Sequence, residues 1–299
     1  MTQPQPAPSE PAQRSLRLGL VGYGRMGRVI HALAEERGHR VVAVVDPHAL
    51  QATAPALTPE LAAQVDAVID FSVPASAQDN ILFYGRSGIP AVVGTTGWYD
   101  QLPAIQAELA GQPAAIIWSG NFSIGVRLFT RLAAQAAALF APFAEYDALL
   151  HEFHHAGKAD SPSGTALELA QAVQGAWPRQ PELHTARLDR PRRPQELHLS
   201  STRGGSIPGT HTVIFDSPAD TVELTHRART REGFAAGAVQ AAEWIAAGRQ
   251  GFFTLDELLD DIVAAQPGPV WLGSVQPDSA QARPQLKHKL SPDTAARKR

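Results

Sequence analysis

The chain has 299 residues, a formal charge of −3 and no cysteine. That length suits about two compact domains, and the missing thiols exclude disulfides, thiolate metal sites and a cysteine nucleophile. The small negative charge offers no field for nucleic acid or an anionic membrane, and no apolar run reaches the roughly 18 residues of a membrane span, so a soluble, cytoplasmic protein is expected.

Residues 1–15, rich in Pro, Gln and Ser and without an apolar stretch, read as a disordered leader. From 16 to 121, short apolar runs alternate with helical patterns. The runs LRLGLVG, VVAVVD, AVIDFS, PAVVGTT and AAIIWS are bounded by Gly, Pro, Asp or Ser. Several are apolar without alternation, as parallel strands covered on both faces should be. Between the first two, RMGRVIHALAEERG sets Val29, Ile30, Leu33 and Ala34 on one face and stops at Gly38, a plausible C-cap. Strand, helix, strand in that order makes a right-handed parallel unit.

The pattern changes after Asn121. SIGVRLFTRLAAQAAALF predicts a long helix, EYDALLHEF a strand or helix end, and GTALELAQAVQ a shorter helix. A Pro/Arg-rich connection leads to LHLSSTRGGSIPGTHTVIFDS and DTVELTHRA, which read as antiparallel sheet. GFAAGAVQAAEWIAAG and TLDELLDDIV are helical and suited to pack back on the first domain. The expected architecture is therefore a Rossmann-like α/β domain of parallel sheet (16–121 plus 232–265). Into it is inserted an α+β substrate domain of mixed or antiparallel sheet (122–231). A basic tail (266–299) closes the chain; from Gln276 it carries six basic residues against two acidic ones.

Gly22-Tyr23-Gly24-Arg25-Met26-Gly27 matches G-x-G-x-x-G between a strand and a helix. Glycines there allow a tight turn and close approach of a pyrophosphate, whose charge meets the free N–H groups of the helix N-terminus. Asp46 ends the second strand, 24 residues after Gly22, where a carboxylate can accept from ribose hydroxyls. The other strand ends, Phe71-Ser72, Gly94-Thr95-Thr96 and Ser119-Gly120-Asn121-Phe122, should line the same crevice, because ligands of open parallel sheets lie outside the carboxyl ends of the strands. Taken singly, each is an ordinary polar turn.

The most unusual stretch is His151 to Thr165, HEFHHAGKADSPSGT. Two imidazoles and the Lys158 ammonium precede a helix start, a constellation suited to an anion that must also receive a proton. Each part has a bland alternative. Thr165-x-x-Glu168 can be a capping box, Lys158 a solvated cation, and the histidines incidental. His151-Glu152-x-x-His155 also matches the H-E-x-x-H zinc motif, but that motif works on a helix with a later third ligand. Here Gly157 and Pro162 break any helix, so no metal is expected.

His154-His155-x-x-Lys158-x-Asp160-Ser161-Pro162-Ser163-Gly164-Thr165 resembles the signature segment of the dihydrodipicolinate reductase family. Ile69-Asp70-Phe71-Ser72, Gly94-Thr95-Thr96-Gly97, Asn121-Phe122-Ser123-x-Gly125-Val126 and Arg203-x-Gly205-x-x-x-Gly209-x-His211 follow the family's order. The resemblance implies NAD(P)H-dependent reduction of a cyclic imine dicarboxylate in lysine and diaminopimelate biosynthesis, by a homotetramer. It also implies His154 as proton donor or acceptor, Lys158 as a second donor, and Thr96, His155, Ser163, Gly164 and Thr165 as substrate contacts. Pro47 and Val73 stand where some members place arginines near the adenosine phosphate. With Asp46 present and those arginines missing, NADH is favoured over NADPH. Two other readings compete: an aspartate-dehydrogenase-like enzyme, which shares the layout without needing the histidine segment, and an NAD(H)-binding protein without catalysis.

Overall fold

A computed structural model describes residues 14–265; nearly all of the expected leader and the whole basic tail lie outside the described residues. The chain runs β1 (Arg17–Val21), α1 (Arg25–Glu36), β2 (Arg40–Val45), α2 (Pro59–Ala62), β3 (Ala67–Asp70), α3 (Pro74–Ser87), β4 (Ala91–Val93), α4 (Leu102–Glu108) and β5 (Ala115–Trp118). It continues with α5 (Ile124–Phe140), β6 (Asp147–His154), α6 (Gly164–Ala176), β7 (Glu182–His184), β8 (Glu196–Arg203), β9 (Thr210–Asp216) and β10 (Thr221–Arg227). The last elements are α7 (Glu232–Ile245), β11 (Gly251–Thr254) and α8 (Leu255–Ala264).

All five apolar runs of the first part become strands of one parallel sheet, ordered β11-β5-β4-β3-β1-β2. Their unbroken apolar character follows from burial on both faces. Leu18, Leu20 and Ile69 face α1, α7 and α8, while Val21, Val68 and Val93 face α3 and α4. Gly38 does close α1: it sits at φ +85° and donates to the Glu35 carbonyl, while His39 N–H reaches Ala34 O. β11 carries no comparable signal. Its four residues, GFFT, are legible as a strand only because they lie along β5.

The second sheet is mixed, ordered β10-β9-β6-β8-β7. β9 and β10 form the expected antiparallel pair, but β8 and β9 do not pair. β6 lies between them, parallel to β8 and antiparallel to β9. The antiparallel reading of LHLSSTR is thus corrected: the strand's partner is β6, some fifty residues earlier, which local pattern cannot reveal. β7, three residues inside the Pro/Arg-rich connection, is too short to announce itself. Alternation along β6 points Ala148 and Leu150 into the core under α5 and α6, and the same alternation sends Glu152 and His154 to that buried face. Arg127 and Arg131 of α5 grip Asp256 at the start of α8, tying the helix that follows β5 to the one that ends the described chain.

Candidate active site

The glycine turn is built for close approach. Gly22 has φ +86°, and a Cβ on it would lie 2.4 Å from Phe71 O; a Cβ on Gly27 would lie 2.3 Å from Gly22 O. A Cβ on Gly24, by contrast, would meet nothing within 4 Å. Gly24 is also the N-cap of α1 and supplies no side chain, so the first N–H groups of that helix face an open crevice. An anionic diphosphate fits this cradle. Arg25 and Arg28 of the first turn line a cavity of about 380 Å³ beside it.

Several neighbouring side chains serve the loops rather than open space. Asp46 accepts from the backbone N–H groups of Tyr23 at 2.7 Å, His48 at 2.7 Å and Ala49 at 3.0 Å. The Tyr23 and His48 bonds hold its carboxyl below the usual range against the opposing effect of burial. Oδ2 takes only one of these bonds, which leaves a lone pair for a ribose hydroxyl. Thr95 is buried and donates to Asp70, which also receives Ser72 N–H, Asn80 and Tyr84. Phe71 lies where a Gly94 side chain would be. Ser119 is bonded to Asn121 in both directions, and Phe122 is buried in the core. Thr96 and Gly120, exposed, remain open to a ligand. Met26 packs against the core.

The histidine segment leaves β6 and folds over a turn in which Lys158 N–H donates to His155 O. Loop 204–209 clasps it, with Gly204 N–H on His154 O and His155 N–H on Ile207 O. Gly209 leaves room for the ring: a Cβ there would sit 3.0 Å from His154 Nε2 and press on it. Asn121, at the end of β5, donates to Thr165 Oγ1 at 3.1 Å and joins the two halves of the site. Between them opens a cavity of about 760 Å³, onto which His154, His155, Lys158, Gly164, Thr165 and Thr96 all face.

Beneath His154 lies a residue to which the sequence assigned no role. Glu152 is fully buried. Its Oε1 accepts from Ser163 N–H at 2.9 Å, Ser201 Oγ at 2.9 Å and Arg203 at 2.8 Å, and its Oε2 accepts from Ser163 Oγ. Burial raises its pKa, but these donors outweigh burial and hold the carboxyl at about 2. His154 Nδ1 stands 3.2 Å from Oε2, and His211 Nε2 stands 3.7 Å from it. Burial pushes His154 down, the Lys158 and Arg203 charges add to this, and Glu152 opposes it. His211 falls to about 4, chiefly by burial.

On a strand, His151 and Glu152 point to opposite faces, and His151 bonds Ser200 at 2.6 Å, so the H-E-x-x-H motif forms no site. Glu152, His154 and His211 do offer one ligand atom each within 4.8 Å of one another. The guanidinium of Arg203 already balances the carboxylate there. The alternative capping box at Thr165 does not form. The N-cap of α6 is Ser163, whose Oγ accepts from Ala166 N–H at 3.1 Å. That hydroxyl is buried and engaged with Glu152, while Ser163 itself lines the cavity. Asp160 pairs with Lys158 at 2.7 Å. Burial raises Asp160, yet Lys158, together with lesser backbone bonds that include Gly164 N–H, holds it low. The protein's own carboxylate thus occupies the ammonium that a substrate carboxylate would need. Tyr99, Arg231 and Phe234 also line the cavity and were not anticipated, since only the tertiary fold brings 231–234 to it.

A parallel sheet with a glycine turn, a second sheet and a proton-bearing cavity between them define a two-domain, dinucleotide-dependent oxidoreductase. The N-terminal family model for dihydrodipicolinate reductase matches residues 16–122, and the C-terminal model matches 125–259. The chain belongs to the dihydrodipicolinate reductase family. It is 36% identical over 253 residues to the 4-hydroxy-tetrahydrodipicolinate reductase of Christiangramia forsetii, covering 83% of this chain and 99% of that one. It is 37% identical over 256 residues to that of Archaeoglobus fulgidus, covering 79% and 96%. Dipicolinate-bound dihydrodipicolinate reductase from Paenisporosarcina sp. TG-14 shares the fold at a TM-score of 0.66, with 21% identity, 81% of this chain covered and 98% of that one.

Proposed function

We propose that this chain reduces 4-hydroxy-tetrahydrodipicolinate, or the dihydrodipicolinate derived from it, to tetrahydrodipicolinate, with NAD(P)H as reductant, in the cytoplasmic synthesis of diaminopimelate and lysine. One observation carries this reading beyond family membership: Lys158, beside His154 on the cavity, already pairs with a carboxylate, that of Asp160 at 2.7 Å. Lys158, His155 and the N–H groups of Gly164 and Thr165 would take the substrate carboxylates, with Thr96 closing from the other side. The glycine turn 22–27, Asp46 and the loops at 71–72, 94–96 and 119–122 would hold the dinucleotide, which supplies a hydride to the substrate ring when bound. The electron pair displaced in the ring then needs a proton, which His154 or Lys158 on the cavity would supply. Ser163 contributes its backbone to α6 and its hydroxyl to Glu152. The aspartate-dehydrogenase-like and non-catalytic readings leave this histidine and lysine arrangement without a purpose.

NADH should serve at least as well as NADPH, because Asp46 repels a 2′-phosphate and exposed Val73 supplies no countercharge. Residues 16–121 plus 232–265 would act as the dinucleotide domain and 122–231 as the substrate domain. A homotetramer is favoured by the sheet face bearing Leu149, Phe153 and Ile214, which lies opposite α5 and α6. Light scattering that found only monomer at micromolar concentration would remove the tetramer. Oxidation of NADH and NADPH with freshly generated 4-hydroxy-tetrahydrodipicolinate tests the activity itself, and no turnover with either would overturn it.

A further inference from the structure

We infer that Glu152 is a positioning residue that holds the proton of His154 on Nδ1, so that Nε2 is the nitrogen that exchanges a proton with the substrate. The inference rests on the proposed reduction. Its geometry is independent of that reading. Glu152 gathers only donors: a backbone N–H, two hydroxyls, a guanidinium and, at 3.2 Å, the His154 ring. The last contact is close but not aligned as a hydrogen bond, and Nδ1, fully buried, has no other partner. Catalytic hydrogen bonds in ligand-free enzymes are often misaligned in this way and tighten with substrate. With Nδ1 turned to the carboxylate, Nε2, beside Gly209, is left for the cavity.

The charged neighbours of His154 decide what the carboxylate does. Lys158 and Arg203 disfavour an imidazolium, as does burial, while Asp160 and Glu152 favour it. His211, held neutral, does not compete as a cation for Glu152. Glu152 thus lets His154 carry a second proton on Nε2, deliver it, and remain neutral with Nδ1–H in place. The bond broken is Nε2–H and the bond formed is the substrate's new C–H, while the carboxylate itself stays ionised.

Glu152→Gln separates this role from simple packing. The amide oxygen is required at Oε1, where a backbone N–H and a guanidinium cannot turn away, so the NH₂ falls at Oε2. Ser163 Oγ can rotate to accept from it, but His154 Nδ1 must become an acceptor, and its proton moves to Nε2. A neutral imidazole with Nε2–H is a far weaker acid than imidazolium. Long-range ¹H–¹⁵N spectra of histidine-labelled full-length protein, with His154 assigned through His154→Gln, should show Nδ1 protonated in the neutral wild-type ring and Nε2 protonated in Glu152→Gln. The variant should lose kcat by about 10²-fold or more, with NADH Kd within about twofold. The pKa above which its residual rate falls should drop, because the carboxylate no longer favours the cation. A wild-type neutral ring protonated on Nε2 would overturn the inference even if the variant failed to fold, as would a folded variant within about threefold of wild-type kcat. An inactive wild type with its proton on Nδ1 would sink the proposed reduction and leave this geometry standing.

Discussion

The glycine turn and the Glu152 cluster use opposite means to handle charge. At residues 22–27 the backbone does the work. Glycines are present because a Cβ would strike Phe71 O or Gly22 O, and the free N–H groups of α1 face outward. At Glu152 side chains do most of it, drawn from β6, β8, β9 and the start of α6 with one backbone N–H from Ser163, and packed so tightly that no water-facing oxygen remains. A backbone site needs few residues, all close in sequence; a side-chain site needs strands to be brought into register. The first should tolerate changes of side chain at Tyr23 or Met26 better than a change at Gly22 or Gly27, and the second should be sensitive to single atoms.

Removing the acids should give the largest effect. His154→Ala or Lys158→Ala should reduce kcat by about 10² to 10⁴, with NADH affinity little changed because the glycine turn lies elsewhere. Lys158→Ala should also raise KM, since the same ammonium holds a carboxylate. Titration of NADH into each variant, beside steady-state kinetics, checks both halves. Near-normal kcat in both would erase the contrast between the two regions.

Gly27→Ala probes the opposite end. The new methyl must displace the backbone at Gly22, so NADH Kd should rise by about tenfold or more with some loss of stability. The pH dependence of whatever rate remains should not move. A shift in that profile would show that the turn and the cluster are not independent.

Acid should weaken the Glu152 cluster in two stages. The folded pKa of His211, about 4, lies below its ordinary 6.5, so folding favours the neutral ring and stability is lost as pH falls from 6.5 toward 4. Glu152, at about 2 against an ordinary 4.5, contributes stability that is present above 4.5 and lost as pH falls toward 2. Each step is worth a few kcal/mol at most, on the order of 1.4 kcal/mol per pKa unit. Urea unfolding at a series of pH values measures it. A flat midpoint between about pH 6.5 and 4.5 would deny the buried neutral His211.

The smallest effect expected is at Asp46. Asp46→Ala should move the ratio of kcat/KM for NADPH over NADH upward by about tenfold or less, because one repulsive charge is removed and no cation is added. A wild-type preference of tenfold or more for NADPH would instead assign the 2′-phosphate to Arg25 or Arg28.

The sequence by itself determined the parallel sheet, the α1 turn and Gly38 cap, the long α5, and the meeting of His154 and Lys158, because each depends on residues within a few positions of one another or on burial that leaves an unbroken apolar run. It also carried the family, through motifs whose order survives along the chain. What only the tertiary structure decided were pairings across distance: β6 set between β8 and β9, and β11 laid along β5. It also turned Ser163 inward to cap α6, and brought Arg203 and His211 under His154. Glu152 stood in plain view inside a motif that suggested zinc. Its position becomes meaningful only when β6 is a strand, for then alternation turns it and His154 to one buried face, where a carboxylate is stable only if donors from β8 and from Ser163 at the start of α6 converge on it.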